Sequence, residues 1–281
     1  MKNKLIILIF ANLIAIFPFL KNNTLLAQTE ENLKPEFGME LSAGFDKKII
    51  KGLHLTVEEE MRLDNNFKSF DRLQTTVGLS YKVHKNIKLG LAYRMINPYK
   101  TSSKSFKFQH RLMFDVTGTL HLGKWNLSLK EQFQWTYHAG SSYNVYQYPR
   151  NALTLKSRLM IRYKGHHIAE PYAYVELRNI FNAPSVTANY DGTSYLTEDG
   201  YSTDMPGWFI NRYGNAYINR VRGSIGVNVK VHEHHSLKFY ILGDYVHDKV
   251  IDANSEGTKL KSYNIEKGFV GKFGIGYTIS Y

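Results

Sequence analysis

Residues 269–281 alternate between two kinds of side chain. Phe269, Phe273, Ile275, Tyr277, Ile279 and Tyr281 fall on one side of an extended strand, and Lys272, Gly274, Gly276, Thr278 and Ser280 on the other. Such a strand borders an apolar medium on one face and a crowded, polar one on the other. A soluble sandwich strand can carry the same alternation. The distinguishing feature is that the apolar row finishes on the last aromatic residue, Tyr281. That ending resembles the C-terminal signal read by the machinery that inserts barrels into the outer membrane. Phe273, Ile275, Tyr277, Ile279 and Tyr281 are the residues expected to carry it.

The same alternation recurs upstream in segments of about ten residues. Phe37, Met39, Leu41, Ala43 and Phe45 form the first apolar row. Leu53, Leu55, Val57, Met61 and Leu63 form the second, interrupted by Glu59. Later rows include Leu89, Leu91 and Tyr93, then Leu112, Phe114 and Val116, Leu127, Leu129 and Phe133, and Val221, Ile225 and Val227. Eleven segments are visible in all, with no linker, low-complexity tract or helical repeat between them. The spacing predicts an all-β chain: one transmembrane, antiparallel up-and-down β-barrel covering residues 28–281.

Connections alternate in length. His84-Lys85-Asn86, Leu122-Gly123-Lys124, Lys164-Gly165-His166 and His232-Glu233-His234 read as tight turns, whereas residues 64–70, 97–104, 138–149, 182–211 and 247–260 read as long loops. Outer-membrane barrels keep short turns on the periplasmic side and long loops outside. Eleven segments would set the first and last strands parallel, and bacterial barrels use even counts. Twelve strands are therefore predicted, with residues 28–34 supplying a short ascending strand; ten is the alternative. A further hairpin is expected in the long loop, turning at Asp191-Gly192.

The N-terminus carries a matching address. Met1-Lys2-Asn3-Lys4 is a short basic head and residues 5–20 are an almost unbroken apolar run, shorter than the ~20 residues of a spanning helix. Residues 1–27 are read as a cleaved signal peptide and the destination as the outer membrane of a Gram-negative cell; an uncleaved anchor is the alternative. Removing Lys2, Lys4 and Lys21 with the leader takes the formal charge from +12 to +9. An exported basic chain meets outer-membrane lipids, including lipopolysaccharide, or anionic solutes rather than nucleic acid. Oligomeric state is not legible.

The faces opposite the apolar rows hold the unusual chemistry. Glu58, Glu60 and Arg62 share one face, and Arg72, Arg94, Arg111, Arg158, Arg162, Glu170, Glu176, Arg178, Arg220 and Arg222 continue it. A charge facing lipid near the midplane is disfavoured by about 2–4 kcal/mol for Arg or Lys, so these residues are assigned to the lumen. Basic residues outnumber acidic ones there. The face reads as either a plug of crossing ion pairs or a small channel, or solute- or lipid-binding barrel, that favours anions.

Several of these residues also match a family pattern. Glu60-Met61-Arg62, Tyr93-Arg94, His110-Arg111, Arg158 with Arg162-Tyr163, Pro171-Tyr172 with Glu176, and Arg220-Val221-Arg222 before Gly226 resemble the domain of unknown function 2490 family of outer-membrane barrels. The resemblance implies fold and location. It implies no reaction and supplies no catalytic residue.

An outer-leaflet lipid esterase is the alternative activity. Its Ser–His pair would come from His110 or His138 with Ser102, Ser103, Ser141 or Ser142, yet no Gly-x-Ser-x-Gly elbow is present. His166, His167, His232, His234 and His235 cluster on two turns, where solvated histidines are the simpler reading than a metal site. With zero Cys there are no thiolate ligands. No catalytic residue, metal or cofactor is assigned.

Overall fold

A computed structural model describes residues 29–100, 103–139, 150–188, 208–253 and 260–281. The proposed leader and the hairpin expected at Asp191-Gly192 lie outside these residues. The described chain is all β: β1 (Thr29–Asn32), β2 (Glu36–Ile50), β3 (Leu53–Asp64), β4 (Ser69–His84), β5 (Ile87–Lys100), β6 (Ser105–Phe106), β7 (Gln109–Leu122), β8 (Trp125–His138), β9 (Asn151–Tyr163), β10 (Ala169–Ala188), β11 (Trp208–His232), β12 (His235–Ala253) and β13 (Leu260–Ser280).

Every one of the eleven alternating segments is a strand, including the weak Ala169 to Leu177 row. Taken in order, β2 to β5 and β7 to β13 pair antiparallel with their neighbours and the ring closes from β13 back to β2. The two-residue β6 only pairs with the end of β5. The closure departs from the expected twelve-strand, fully antiparallel ring. β13 and β2 run parallel, from Val270↔Glu36 to Ser280↔Asp46. The reason is parity: in an odd up-and-down ring the first and last strands point the same way.

The extra strand does exist, but in the other direction. Thr29–Asn32 runs parallel to β13, opposite Asn264 to Lys267, so it prolongs β2 rather than ascending against it. Between β1 and β2 the register slips by one residue, from Asn32↔Lys267 to Glu36↔Val270. Pro35 lies in that break, where its missing N–H interrupts the ladder.

One end of the barrel has the predicted tight turns. Gly123 sits at φ +62° in the β7–β8 turn, and a turn not singled out in the sequence, Lys51-Gly52, uses Gly52 at φ +85°. At the other end β10 to β13 are 20, 25, 19 and 21 residues long, against 12 to 16 for β3, β4, β5, β7, β8 and β9. The predicted loop at residues 182–211 is therefore partly sheet, pairing out to Ala188↔Trp208. Bulges at Arg178/Asn179 and around Ala183 carry the strands through that extension.

Burial is inverted relative to a water-soluble protein. Outward Phe114 is 49% exposed, Val175 55% and Ile225 63%, whereas inward Glu176 is 4% and Asp244 1% exposed. Two carboxylates break the outward rows at mid-strand, Glu59 and Glu131; Ser157 donates to Glu131 at 2.6 Å. Inside, glycines let large side chains lie flat against the wall. A Cβ on Gly274 would collide with the Tyr240 ring, and one on Gly226 with Tyr172.

Candidate functional site

The interior face is where chemistry is possible, and strand register decides which charges meet. On the β2–β4 wall Arg62 Nε donates to Glu60 at 2.6 Å and lies 3.4 Å from Glu40, while Gln74 donates to Glu60 at 3.3 Å. Tyr240, lying over Gly274, reaches past β13 to donate to Glu40 at 2.6 Å. Arg94 donates to Thr76 at 2.8 Å and Gln74 at 3.0 Å and stands 3.8 Å from Glu58. Arg72 turns aside to its neighbour Asp71 at 2.6 Å.

The β9–β10 wall holds a second group. Glu176 accepts from Arg158 at 2.7 Å and lies 3.7 Å from Lys156. Arg158 also stacks over the Tyr174 ring at 4.3 Å. Glu170 is 3.6 Å from both Arg162 and Lys164, and Arg162 lies 5.9 Å from the Tyr172 ring centre. On β11–β12 the cross-strand pair Arg222↔Asp244 is bidentate, at 2.6 and 2.8 Å, with Arg220 at 3.4 Å from the same carboxylate. The planar guanidinium fork matches the two carboxylate oxygens.

Two arginines stand apart. Arg111 donates to Thr136 Oγ1 at 2.8 Å and pairs with no carboxylate among the described residues. The Nε of Arg178 is buried without a partner.

The sequence reading missed four acids: Glu40, Asp244, Asp115, which pairs with Lys130 at 3.3 Å, and Asp64, which pairs with Lys272 at 2.9 Å. Glu40 alternates with Met39 and Leu41, Asp115 with Phe114 and Val116, and Asp64 and Asp244 fall on the inner parity of their strands. That parity was the available signal.

Among the described residues the hydrolase candidates form no Ser–His pair. His110 lies on the outward face, bonded through Nδ1 to the Tyr93 hydroxyl at 2.6 Å and stacked on Tyr93 and Tyr137. Ser103 is bonded to Ser105 at 2.7 Å, while Ser102, Ser141 and Ser142 lie outside the described residues. At the loop end, burial and then the Arg111 charge push the His138 imidazole down to about 4, so it is neutral at ordinary pH. Among the turn histidines, His235 bonds Tyr277 and His234 bonds the Ser280 carbonyl at 2.7 Å. No group of three or more metal-ligating side chains occurs among the described residues.

A family model described as "Protein of unknown function (DUF2490)" matches residues 37–191. The chain belongs to the DUF2490 family. The matched stretch contains Glu58, Glu60, Arg62, Arg94, Arg111, Arg158, Arg162 and Glu176, and leaves out Arg220, Arg222 and the terminal strand. No curated protein matches the chain. Among solved structures it is similar to one titled "NanC porin structure in rhombohedral crystal form", at 9% identity and a TM-score of 0.39, covering 80% of this chain and 93% of that one.

Proposed function

We propose that this DUF2490 barrel spans the outer membrane and forms a narrow, water-filled channel that prefers anions. The observation that carries the reading is the layout of its ion pairs. Among the described residues none bridges more than one intervening strand, so the charges are tied along the wall and not across the bore. A plug of crossing pairs would need the opposite arrangement. The outward apolar rows suit acyl chains, and a spanning strand needs ~9–11 residues, which every barrel strand exceeds. Trp125 and Tyr163 at the turn end, and Trp135, Tyr137 and Tyr93 at the other, suit the two interfacial girdles. Tight turns then face the periplasm, and outer-membrane lipids, lipopolysaccharide included, surround the belt. Phe273, Ile275, Tyr277, Ile279 and Tyr281 address the chain to the insertion machinery.

Unpaired guanidinium groups in a low-dielectric bore concentrate anions and repel cations. The expected result in a planar bilayer under a salt gradient is a reversal potential of anion sign. Raising salt should shrink the preference, since screening reaches only ~10 Å at 0.1 M. Neutralising Arg162, whose Glu170 partner is 3.6 Å away, should lower the preference, whereas Lys100→Gln at the loop end of β5 should not. Cation preference, or a silent bilayer, overturns the reading. Hydrolysis of outer-leaflet lipid by the same preparation would favour the esterase.

A further inference from the structure

Positive charge at the turn end of the barrel is spread around the whole ring. The short connections β2–β3, β4–β5, β7–β8, β9–β10 and β11–β12 close this end, and each has an exposed lysine in it or beside it: Lys51, Lys85, Lys124, Lys164 and Lys230 in that order. Lys47 and Lys48 near the end of β2, and Lys82 near the end of β4, are exposed as well. Few acids answer them among the described residues. Asp46 is bonded to the His54 imidazole at 2.8 Å, Glu170 lies 3.6 Å from both Arg162 and Lys164, and Glu233 is exposed in the last turn. The turn end is therefore a basic crown.

The crown adjoins the aromatic belt. Lys164 N–H donates to the Lys124 carbonyl at 2.7 Å, and next to that link the Trp125 and Tyr163 rings lie 4.8 Å apart. At the seam Lys47 Nζ stands 5.6 Å from the Tyr281 ring centre. An aliphatic stem along aromatic rings with its ammonium in water is the arrangement side chains adopt at the level of lipid headgroups. The distribution of charge then selects the partner. Lys47 shares the outward parity of Phe45, so the crown is not confined to the mouth of the bore. A soluble protein would dock on one side of the ring, whereas a partner that meets every turn of a closed ring has to surround it, as lipid does.

We propose that the lysines of the short turns bind the phosphate groups of anionic glycerophospholipid in the leaflet around the turn end. Each lysine near an anionic lipid surface adds about five-fold in attraction, so a crown of them holds such lipid against the barrel in preference to zwitterionic lipid. It also fixes the height of the turn end at the headgroups. The inference goes beyond the channel reading and rests only on the part of it that sets the barrel across a membrane.

Trp125 is the reporter. The chain has three tryptophans, and Trp135→Phe/Trp208→Phe leaves Trp125, 47% exposed, beside Lys124. That full-length protein is refolded into vesicles of phosphatidylcholine with a fixed fraction of phosphatidylglycerol, with bromine on the acyl chains of one lipid or of the other, and quenching by each is measured. Both leaflets carry the same mixture, so the direction of insertion does not enter. Quenching should place phosphatidylglycerol beside Trp125 at about two-fold or more its bulk fraction. Salt at 1 M should erase most of the excess, since screening shortens to about 3 Å. Lys124→Glu/Lys164→Glu should bring the fraction down to bulk, and Lys124→Gln/Lys164→Gln, which adds no like charge beside Glu170, should lower it even if the reversal does not refold. Lys100→Glu at the loop end of β5 should leave it unchanged. The bulk fraction in the starting protein, or an excess that survives both double variants, overturns the inference. Equal quenching by the two lipids sinks the lipid site and keeps the spanning barrel, whereas a Trp125 that neither lipid quenches sinks both.

Discussion

Replacing Tyr281 with Asp is expected to leave little assembled barrel in the outer membrane. The Tyr281 ring stacks on His234 at 4.8 Å, lies 6.2 Å from Phe45, and has Lys47 Nζ 5.6 Å above it. Its backbone closes the parallel seam: Tyr281 N–H donates to the Asp46 carbonyl at 2.9 Å, and Lys48 N–H donates to the Tyr281 carbonyl at 2.7 Å. An Asp keeps the backbone bonds but removes the ring contacts and the terminal aromatic that ends the apolar row. Two such ring pairs at ~0.5–1.5 kcal/mol each, before any loss of recognition, correspond to a drop on the order of ten-fold in correctly closed protein. Outer-membrane level and heat-modifiable gel mobility measure it, with Tyr281→Phe expected to stay near wild type. Normal level and mobility for Tyr281→Asp would sink the role given to the terminal strand.

Asp244→Ala is expected to be the most destabilising single change in the interior. Asp244 is 1% exposed and takes both the bidentate Arg222 and the flanking Arg220. Removing it strands the buried Arg222 guanidinium and the partly buried Arg220, both on β11, and breaking such a buried pair is typically worth about 3–5 kcal/mol. Arg222→Ala should be nearly as harmful, because the buried carboxylate then keeps only Arg220. The Arg222→Leu/Asp244→Leu double variant should recover much of the loss, since neither charge remains to be desolvated. Arg72→Ala, at a pair that is a third exposed on the arginine side, should fall within ~1 kcal/mol of wild type. Denaturant titration of protein refolded into detergent or vesicles gives these differences. An Asp244→Ala variant as stable as Arg72→Ala would contradict the assignment of Asp244 as the acid holding β11 to β12.

Those two residues also show what the sequence could and could not give. Tyr281 was legible because it ends a period-two row, and a period-two row fixes its own two faces without reference to any other strand. Asp244 was not, because a single acid between Gly243 and Tyr245 belongs to the inner face by parity but gains its meaning only from the register that sets it opposite Arg222. Arg111 and Arg178 were both assigned to the interior, yet nothing in their neighbours in sequence says that among the described residues Arg111 pairs with no carboxylate and the Nε of Arg178 is buried without a partner. The seam failed for a different reason. Thr29–Asn32 was expected to ascend so that the count would be even, whereas it continues β2 along β13, a pairing that alternation cannot orient. Residues 182–211 were read as a long loop between alternating rows, while the sheet pairs into both ends of it, out to Ala188↔Trp208, by means of bulges.

In the membrane the outward rows are expected to meet lipid and the inward rows water. Single cysteines along β8 test it most directly, because the strand carries both faces within a few residues and the native chain has no cysteine to interfere. Leu127→Cys, Leu129→Cys and Phe133→Cys should react with a membrane-confined maleimide and resist a charged one. Lys130→Cys, Gln132→Cys and Gln134→Cys should do the opposite in intact outer membranes, giving a labelling pattern that alternates with a period of two. Labelling of all six positions by the charged reagent, or a pattern without that period, would contradict the account.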